Sequence, residues 1–158
     1  MSNAPLIIRR AEREDLPAIV RMLADDQLGS TRELLDDPLP ASYYHAFDEI
    51  QADPNNLILV ACEGAAVVGT LQLTFTPSLS YRGGRRATVE SVRTEAARRG
   101  QGIGTALMRS AIELAQERGC ALIQLTTHAT RTDAHRFYEK LGFTGEHIGM
   151  KLRLEPPA

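Results

Sequence analysis

The sequence predicts one α/β domain, a mixed sheet flanked by helices, and three observations carry that prediction. Segments that alternate or run continuously apolar interleave with segments of helical period, in the order β-α-α-β-β-β-α-β-α-β. A strand around Ala87 to Thr94 passes through a glycine-rich turn into a long amphipathic helix. The 158 residues are 43% hydrophobic and 24% charged, the size and composition of one ordinary globular domain. Residues 1–158 are therefore read as a single domain with its core from about 6 to 154.

Leu6 to Ala11 reads as an opening strand, and Glu12 to Asp26 as a helix with Leu16, Ile19, Val20 and Leu23 at helical spacing. Pro17 falls early enough to sit in a first turn. Gln27 to Pro40 is polar and broken by Gly29, Pro38 and Pro40, a loop. Ala41 to Ala52 predicts a second helix, stopped by Asp53-Pro54-Asn55. Leu57–Glu63 and Ala66–Thr74 predict a hairpin turning at Gly64. Thr76 to Arg86, with Pro77, Gly83, Gly84 and three arginines, reads as an exposed connection into the fourth strand, Ala87–Thr94. The turn Gly100–Gly104 opens a helix to about Arg118, with Ile103, Ala106, Leu107, Ala111 and Leu114 in one stripe and Gly119 closing it. Ala121–Thr127 predicts a fifth strand, Thr132–Leu141 a last helix, and Phe143–Leu154 mostly β.

The formal charge of −2 gives no reason to expect nucleic acid or an anionic membrane as partner. No apolar run approaches the ~20 residues of a membrane span, and Met1 to Pro5 lacks the features of a signal peptide. Cys62 and Cys120 lie in separate apolar segments and read as packed thiols. A cytoplasmic protein is expected. The four histidines show no ligand spacing, so no metal is expected.

Chemistry concentrates in Val92-Arg93-Thr94 through Arg99-Gly100-Gln101-Gly102-Ile103-Gly104-Thr105, a strand leading through a basic loop into a helix. The first amides of a helix have no internal partner and lie at the positive end of its dipole. Glycines let an anion approach them, and Arg98 and Arg99 add charge, which makes a cradle for a diphosphate. Tight packing alone would also explain the glycines. A dinucleotide fingerprint fits worse, because it belongs near the first strand, and a P-loop fails because no Gly-Lys-Ser/Thr follows.

Arg99-x-x-Gly102-x-Gly104 resembles the R/Q-x-x-G-x-G/A signature of the GNAT superfamily of N-acetyltransferases. Ala134-His135-Arg136-Phe137-Tyr138-Glu139-Lys140-Leu141-Gly142-Phe143 is similar to that family's A-x-x-x-Y-x-x-x-G-F motif, and Ile8-Arg9-Arg10-Ala11 with Glu14-Asp15 resembles its usual start. The resemblance implies a mostly antiparallel sheet of six or seven strands with a splayed central pair. It implies acetyl-CoA between the parted fourth and fifth strands. The pantetheine arm would pair with the backbone of Val92, Arg93 and Thr94. The pyrophosphate would rest on the amides of Arg99, Gly100, Gln101, Gly102, Ile103, Gly104 and Thr105. An acetyl carbonyl near the Val92 N–H would have its developing oxyanion stabilised there.

An amine of pKa ~10 must lose a proton before it attacks, and the departing thiolate gains from a proton donor. The resemblance makes Tyr138 the donor; otherwise it is a core aromatic beside Phe137. Glu90 is the candidate base, set by alternation on one face of its strand with Val92 and matching the Glu-x-Val of related small-amine enzymes. An edge carboxylate in water, or one paired with Arg86, is the plainer reading. Arg131 stands where many members carry asparagine, and would reach the cofactor; Glu95-Ala96 replaces the proline that usually precedes the loop.

The run from Thr127 to Tyr138 is similar to aminoalkylphosphonate N-acetyltransferases, which implies an anionic acceptor held by His128, Arg131, Arg82 or Arg85, though solvated polar residues at a junction fit equally. The resemblance further implies that Tyr43, Tyr44 and His45, on the second helix, cover the acceptor pocket. The expected activity is therefore transfer of acetyl from acetyl-CoA to the primary amine of a small molecule; a homodimer stays open. A protein or peptide acceptor, drawn by Asp25-Asp26 and Asp36-Asp37, is a second reading, and a non-catalytic acyl-CoA-binding regulatory module a third.

Overall fold

Five strands lie side by side in chain order in a computed structural model that describes residues 4–26 and 29–155: β1 (Leu6–Arg10), β2 (Asn56–Glu63), β3 (Ala66–Thr76), β4 (Arg85–Thr94) and β5 (Cys120–Leu125). The first three pairings are antiparallel and β4–β5 is parallel. Gly64 turns the β2–β3 hairpin at φ +59, a left-handed conformation that glycine adopts without steric cost. The mixed, mostly antiparallel sheet is as predicted, but it has five strands rather than six or seven. The β4–β5 pair accordingly lies at its edge, not its centre.

Helices are α1 (Leu16–Ala24), α2 (Ala41–Ala52), α3 (Ile103–Glu117) and α4 (Thr132–Lys140). The expected first helix is divided: a 3-10 turn, Arg13–Asp15, precedes α1, whose Pro17 occupies the first turn. The expected loop from Gln27 is irregular from Gly29 to Pro40, its first two residues lying outside the described ones. Between β3 and β4, Tyr81 and Arg82 take positive φ in a tight turn at Ser80–Gly83.

The chain divides into two compact units, Met1–Leu125 and Thr126–Ala158. In the first, register sorts the sheet's faces. Leu59 opposes Leu71, and Leu73 opposes both Leu57 and Val89, and directly opposed residues share a face. Gly69 lies on that face, where a Cβ would stand 2.8 Å from Ile103 Cγ2 and 2.9 Å from Leu107 Cδ1. Only glycine therefore lets α3 sit this close, and Leu107, Met108 and Ala111 are completely buried. On the other face Val60 and Cys62 pack with Leu16, Ile19 and Phe47 from α1 and α2. Asp15 anchors this side: it accepts from Arg9 at 2.7 and 3.0 Å and from the Glu12 amide at 2.7 Å. Burial alone would raise its pKa, but these hydrogen bonds outweigh burial and hold it below the usual carboxylate range. Cys62 and Cys120 are free thiols, both pushed up in pKa by burial.

The second unit holds α4 and the segment after it. The expected β stretch Phe143–Leu154 forms no strand among the described residues. Its alternating Ile148, Met150, Leu152 and Leu154 are 83–91% exposed. Alternation marks a segment able to pair, but a strand exists only once a neighbour satisfies its backbone, and none does so here. No helix among the described residues is long and apolar enough to cross a membrane.

Candidate functional site

The β4–α3 junction has the geometry expected of an anion cradle. Gly100 and Gly102 have φ of +76 and +82, and a Cβ built on either meets nothing within 4 Å. The space before the turn is open. Gly102 caps α3, and the Ala106 amide donates to its carbonyl at 3.0 Å. The amides of Ile103, Gly104 and Thr105 come before that bond, at the positive end of a 15-residue helix. These residues suit a diphosphate by donor set, charge and room.

The two arginines beside the cradle differ. Arg98 is committed to the Glu63 carboxylate on β2, so its charge is largely spent within the fold. Arg99 is more than half exposed and lies 3.6 Å from Asp25, a loose pair that water screens. Gln101 bonds weakly back to the Ala97 carbonyl at 3.4 Å.

Upstream, β4 runs on past its partner. Pairing with β5 stops at Val89 and Leu125, so among the described residues no strand pairs with Glu90–Thr94 on that side. An extended ligand has a backbone edge to add to, running directly into the cradle. One group on that edge is engaged: the Val92 carbonyl accepts Arg93 Nη1 at 2.9 Å.

Alternation fails within this stretch. Register slips between Thr70 and Gln72 on β3, where β4 carries an extra residue, and Ser91 has φ +56. This is a β-bulge. Glu90 opposes Gln72 and Arg93 opposes Thr70, so Glu90 shares its face with Arg93 rather than with Val92 as predicted. That face is the one covered by α1 and α2. Glu90 is exposed, not half-buried. Arg86 is not its partner; it donates to Ser78 and Ser80. A serine at positive φ carries no sequence signal, because glycine and asparagine are the residues that advertise it.

Asp26 was also missed as a structural element. Its carboxylate meets Arg93 Nη2 at 3.0 Å with both side chains mostly buried, 14% and 18% exposed. The acidic pair Asp25-Asp26 thus faces arginines of its own chain, which removes one argument for a basic peptide as acceptor.

On α2, the Tyr43 hydroxyl donates to Glu33 at 2.8 Å and accepts the Leu34 amide, tying the irregular loop to the helix. Burial, with Glu33 adding to it, pushes the Tyr43 pKa up. Tyr44 packs on the core cluster and stacks under Arg13, while His45 is exposed. Arg85 is held by Asn55 at 3.2 Å, and Arg82 is exposed.

In the second unit, Tyr138 is half-buried, its ring edge-on to Phe137 and Phe143 with centroids 5.0 and 5.9 Å away. Arg131 caps α4, its amide donating to the His128 carbonyl at 2.9 Å. The His128 Nδ1 accepts the Thr130 amide, which leaves its proton on Nε2. His135 Nε2 bonds the His128 carbonyl at 3.1 Å, a satisfied helix histidine. Among the described residues no three His, Cys, Asp or Glu side chains cluster to hold a metal ion.

Comparison with known proteins gives a consistent picture. A model of the acetyltransferase (GNAT) family matches residues 19–143. The chain is 30% identical over 145 residues to the aminoalkylphosphonate N-acetyltransferase of Salmonella typhimurium, covering 89% of this chain and 86% of that protein. It is 33% identical over 123 residues to glucosamine 6-phosphate N-acetyltransferase 1 of Oryza sativa, covering 73% and 70%. A crystal structure described as a transcriptional regulator from Bacillus halodurans C-125 superposes with a TM-score of 0.93 at 56% identity, covering 95% of this chain and 100% of that one.

Proposed function

Because the chain belongs to the GNAT acetyltransferase family, and is an acetyl-CoA-dependent N-acetyltransferase, we propose that it acetylates the primary amine of a small molecule that also carries an anionic group. The observation that carries the reading is continuity: Glu90–Thr94, which no strand among the described residues joins on the β5 side, leads through the 3-10 turn Ala96–Arg98 into an open, amide-lined turn. Acetyl-CoA supplies a thioester, activated for attack by an amine and able to leave as a thiolate. The amides of Ile103, Gly104 and Thr105 hold its diphosphate, with Arg99 alongside. The backbone of Val92, Arg93 and Thr94 would align the extended arm, and the Val92 amide is the donor assigned to the thioester oxygen.

Glu90 takes a proton from the acceptor ammonium, and the free amine that results attacks the thioester carbon. Its exposure on the α1–α2 side of β4 suits a group that must pass protons to water. Tyr138 returns a proton to the leaving sulfur; its aromatic neighbours restrain the ring that carries the hydroxyl. Arg131 contributes to cofactor binding from the cap of α4. The anionic acceptor is supported by two relatives whose names specify an aminoalkylphosphonate and a glucosamine 6-phosphate, each an amine with a phosphorus oxyanion. His128 is the donor assigned to that anion, Arg131 being given to the cofactor.

The test follows free thiol release from acetyl-CoA with an aminoalkylphosphonate, an uncharged amine of the same length and a basic peptide. The phosphonate should exceed the uncharged amine by about tenfold or more in kcat/KM. Equal rates remove the anion site, and preference for the peptide supports the protein-acceptor reading. A second reading, an acyl-CoA-binding regulatory module, is favoured by the description of the Bacillus halodurans relative. Binding of acetyl-CoA without thiol release from any amine would support it.

A further inference from the structure

Two consecutive carboxylates, Asp25 and Asp26, stand at the C-terminal end of α1. That end of a helix is negative and favours cations, so acidic groups there are unfavourable unless something compensates. Arg93 of β4 and Arg99 of the cradle compensate. A local preference broken for a tertiary contact points to a purpose beyond the helix itself.

The two pairs are unequal. Asp25–Arg99 is exposed and loose, whereas Asp26–Arg93 is short and mostly buried. The second Asp26 oxygen accepts the Gly29 amide at the start of the loop that leads to α2. Gly29 packs so tightly against the Leu23 carbonyl that no larger residue fits. On its other side, Arg93 donates to the Val92 carbonyl at 2.9 Å. Val92 follows Ser91, the positive-φ residue of the bulge, on the stretch of β4 that no strand among the described residues joins on the β5 side. A continuous chain therefore links the α1–α2 loop, Asp26, the Arg93 guanidinium and the Val92–Arg93 peptide next to the bulge.

We propose that Asp26 is a positioning residue: by holding Arg93 it fixes the Val92–Arg93 peptide on the open β4 edge and ties that edge to the loop following α1. The role rests on the reading of that edge as the seat of the acetyl-CoA arm. The carboxylate touches no reacting atom. Through the Val92 carbonyl it restrains the residue whose N–H is assigned to the thioester oxygen, and a small misalignment of such a group is costly.

The chemistry predicts a divided response. ADP engages the cradle alone, while acetyl-CoA also engages the β4 edge. In Asp26→Asn, calorimetry should show acetyl-CoA binding weakened about tenfold and kcat reduced by a similar factor, with ADP affinity changed by less than about twofold. Asp26→Glu, which keeps the charge, should recover most of both losses. If Asp26→Asn does not fold, Asp26→Asn/Arg93→Met removes both mostly buried charges together and should show the same division. Equal loss for ADP and acetyl-CoA, or a lower melting temperature with acetyl-CoA binding and kcat unchanged, would overturn the proposal. A native protein that binds neither ADP nor acetyl-CoA would overturn the reading of the edge itself; normal native binding with unshifted variants removes only the role of Asp26.

Discussion

Glu90 and Tyr138, the proposed base and acid, are ordinary residues in their surroundings. Glu90 is exposed on a strand and Tyr138 half-buried on a helix. As base, Glu90 matters most where the amine is still protonated. Glu90→Gln should lower kcat roughly a hundredfold at neutral pH and much less in alkali, where the amine is already free. A pH profile parallel to the native one would exclude it. Tyr138→Phe keeps the ring contacts with Phe137 and Phe143 and removes only the hydroxyl. Turnover should fall about tenfold or more with acetyl-CoA affinity unchanged. Stopped-flow thiol release and calorimetry on one preparation check both halves.

At the scale of elements, the cradle depends on where α3 begins, and that depends on a glycine in another strand. Gly69 on β3 leaves room for Ile103 and Leu107 in the first turns of α3. Gly69→Ala would press a methyl against both side chains and sit 3.3 Å from the Arg93 carbonyl. Overpacking of this kind costs about 1–3 kcal/mol, and relief by moving the helix start carries the Ile103–Thr105 amides with it. The variant should melt lower and bind CoA more weakly, read by calorimetry and thermal denaturation. Lower stability with unchanged CoA affinity would show that the helix start does not move.

At the scale of the molecule, acid is the informative perturbation. Asp15 receives Arg9 and the Glu12 amide and has a folded-state pKa below its ordinary value. A depressed carboxylate contributes stability that is complete above its unfolded pKa, about 3.9, and is lost as pH falls through the folded value. The melting temperature should therefore hold to about pH 5 and drop below about pH 4. Asp15→Asn should cost roughly 2–3 kcal/mol at neutral pH and flatten the acid limb. An unaltered acid limb would place the acid sensitivity elsewhere.

Much of this architecture was legible along the chain because its signals are local. Asp53-Pro54-Asn55 marked the end of Ala41–Ala52, Gly64 marked the hairpin, and Gly119 the end of α3. The glycine turn was legible because positive φ with free space in front is a property of backbone chemistry. Three-dimensional contacts decided the rest. Alternation could not foresee the bulge that turns Glu90 onto the face of Arg93, since a bulge is set by pairing with β3. Nor could it show that Arg98 is consumed by Glu63 and Arg93 by Asp26, partners dozens of residues away. The apolar rhythm of Phe143–Leu154 advertised a strand, but an edge to pair with is a tertiary fact, and among the described residues the sheet has five strands. Local sequence determines which conformations a segment can adopt; long-range contacts decide which of its groups remain open to a ligand.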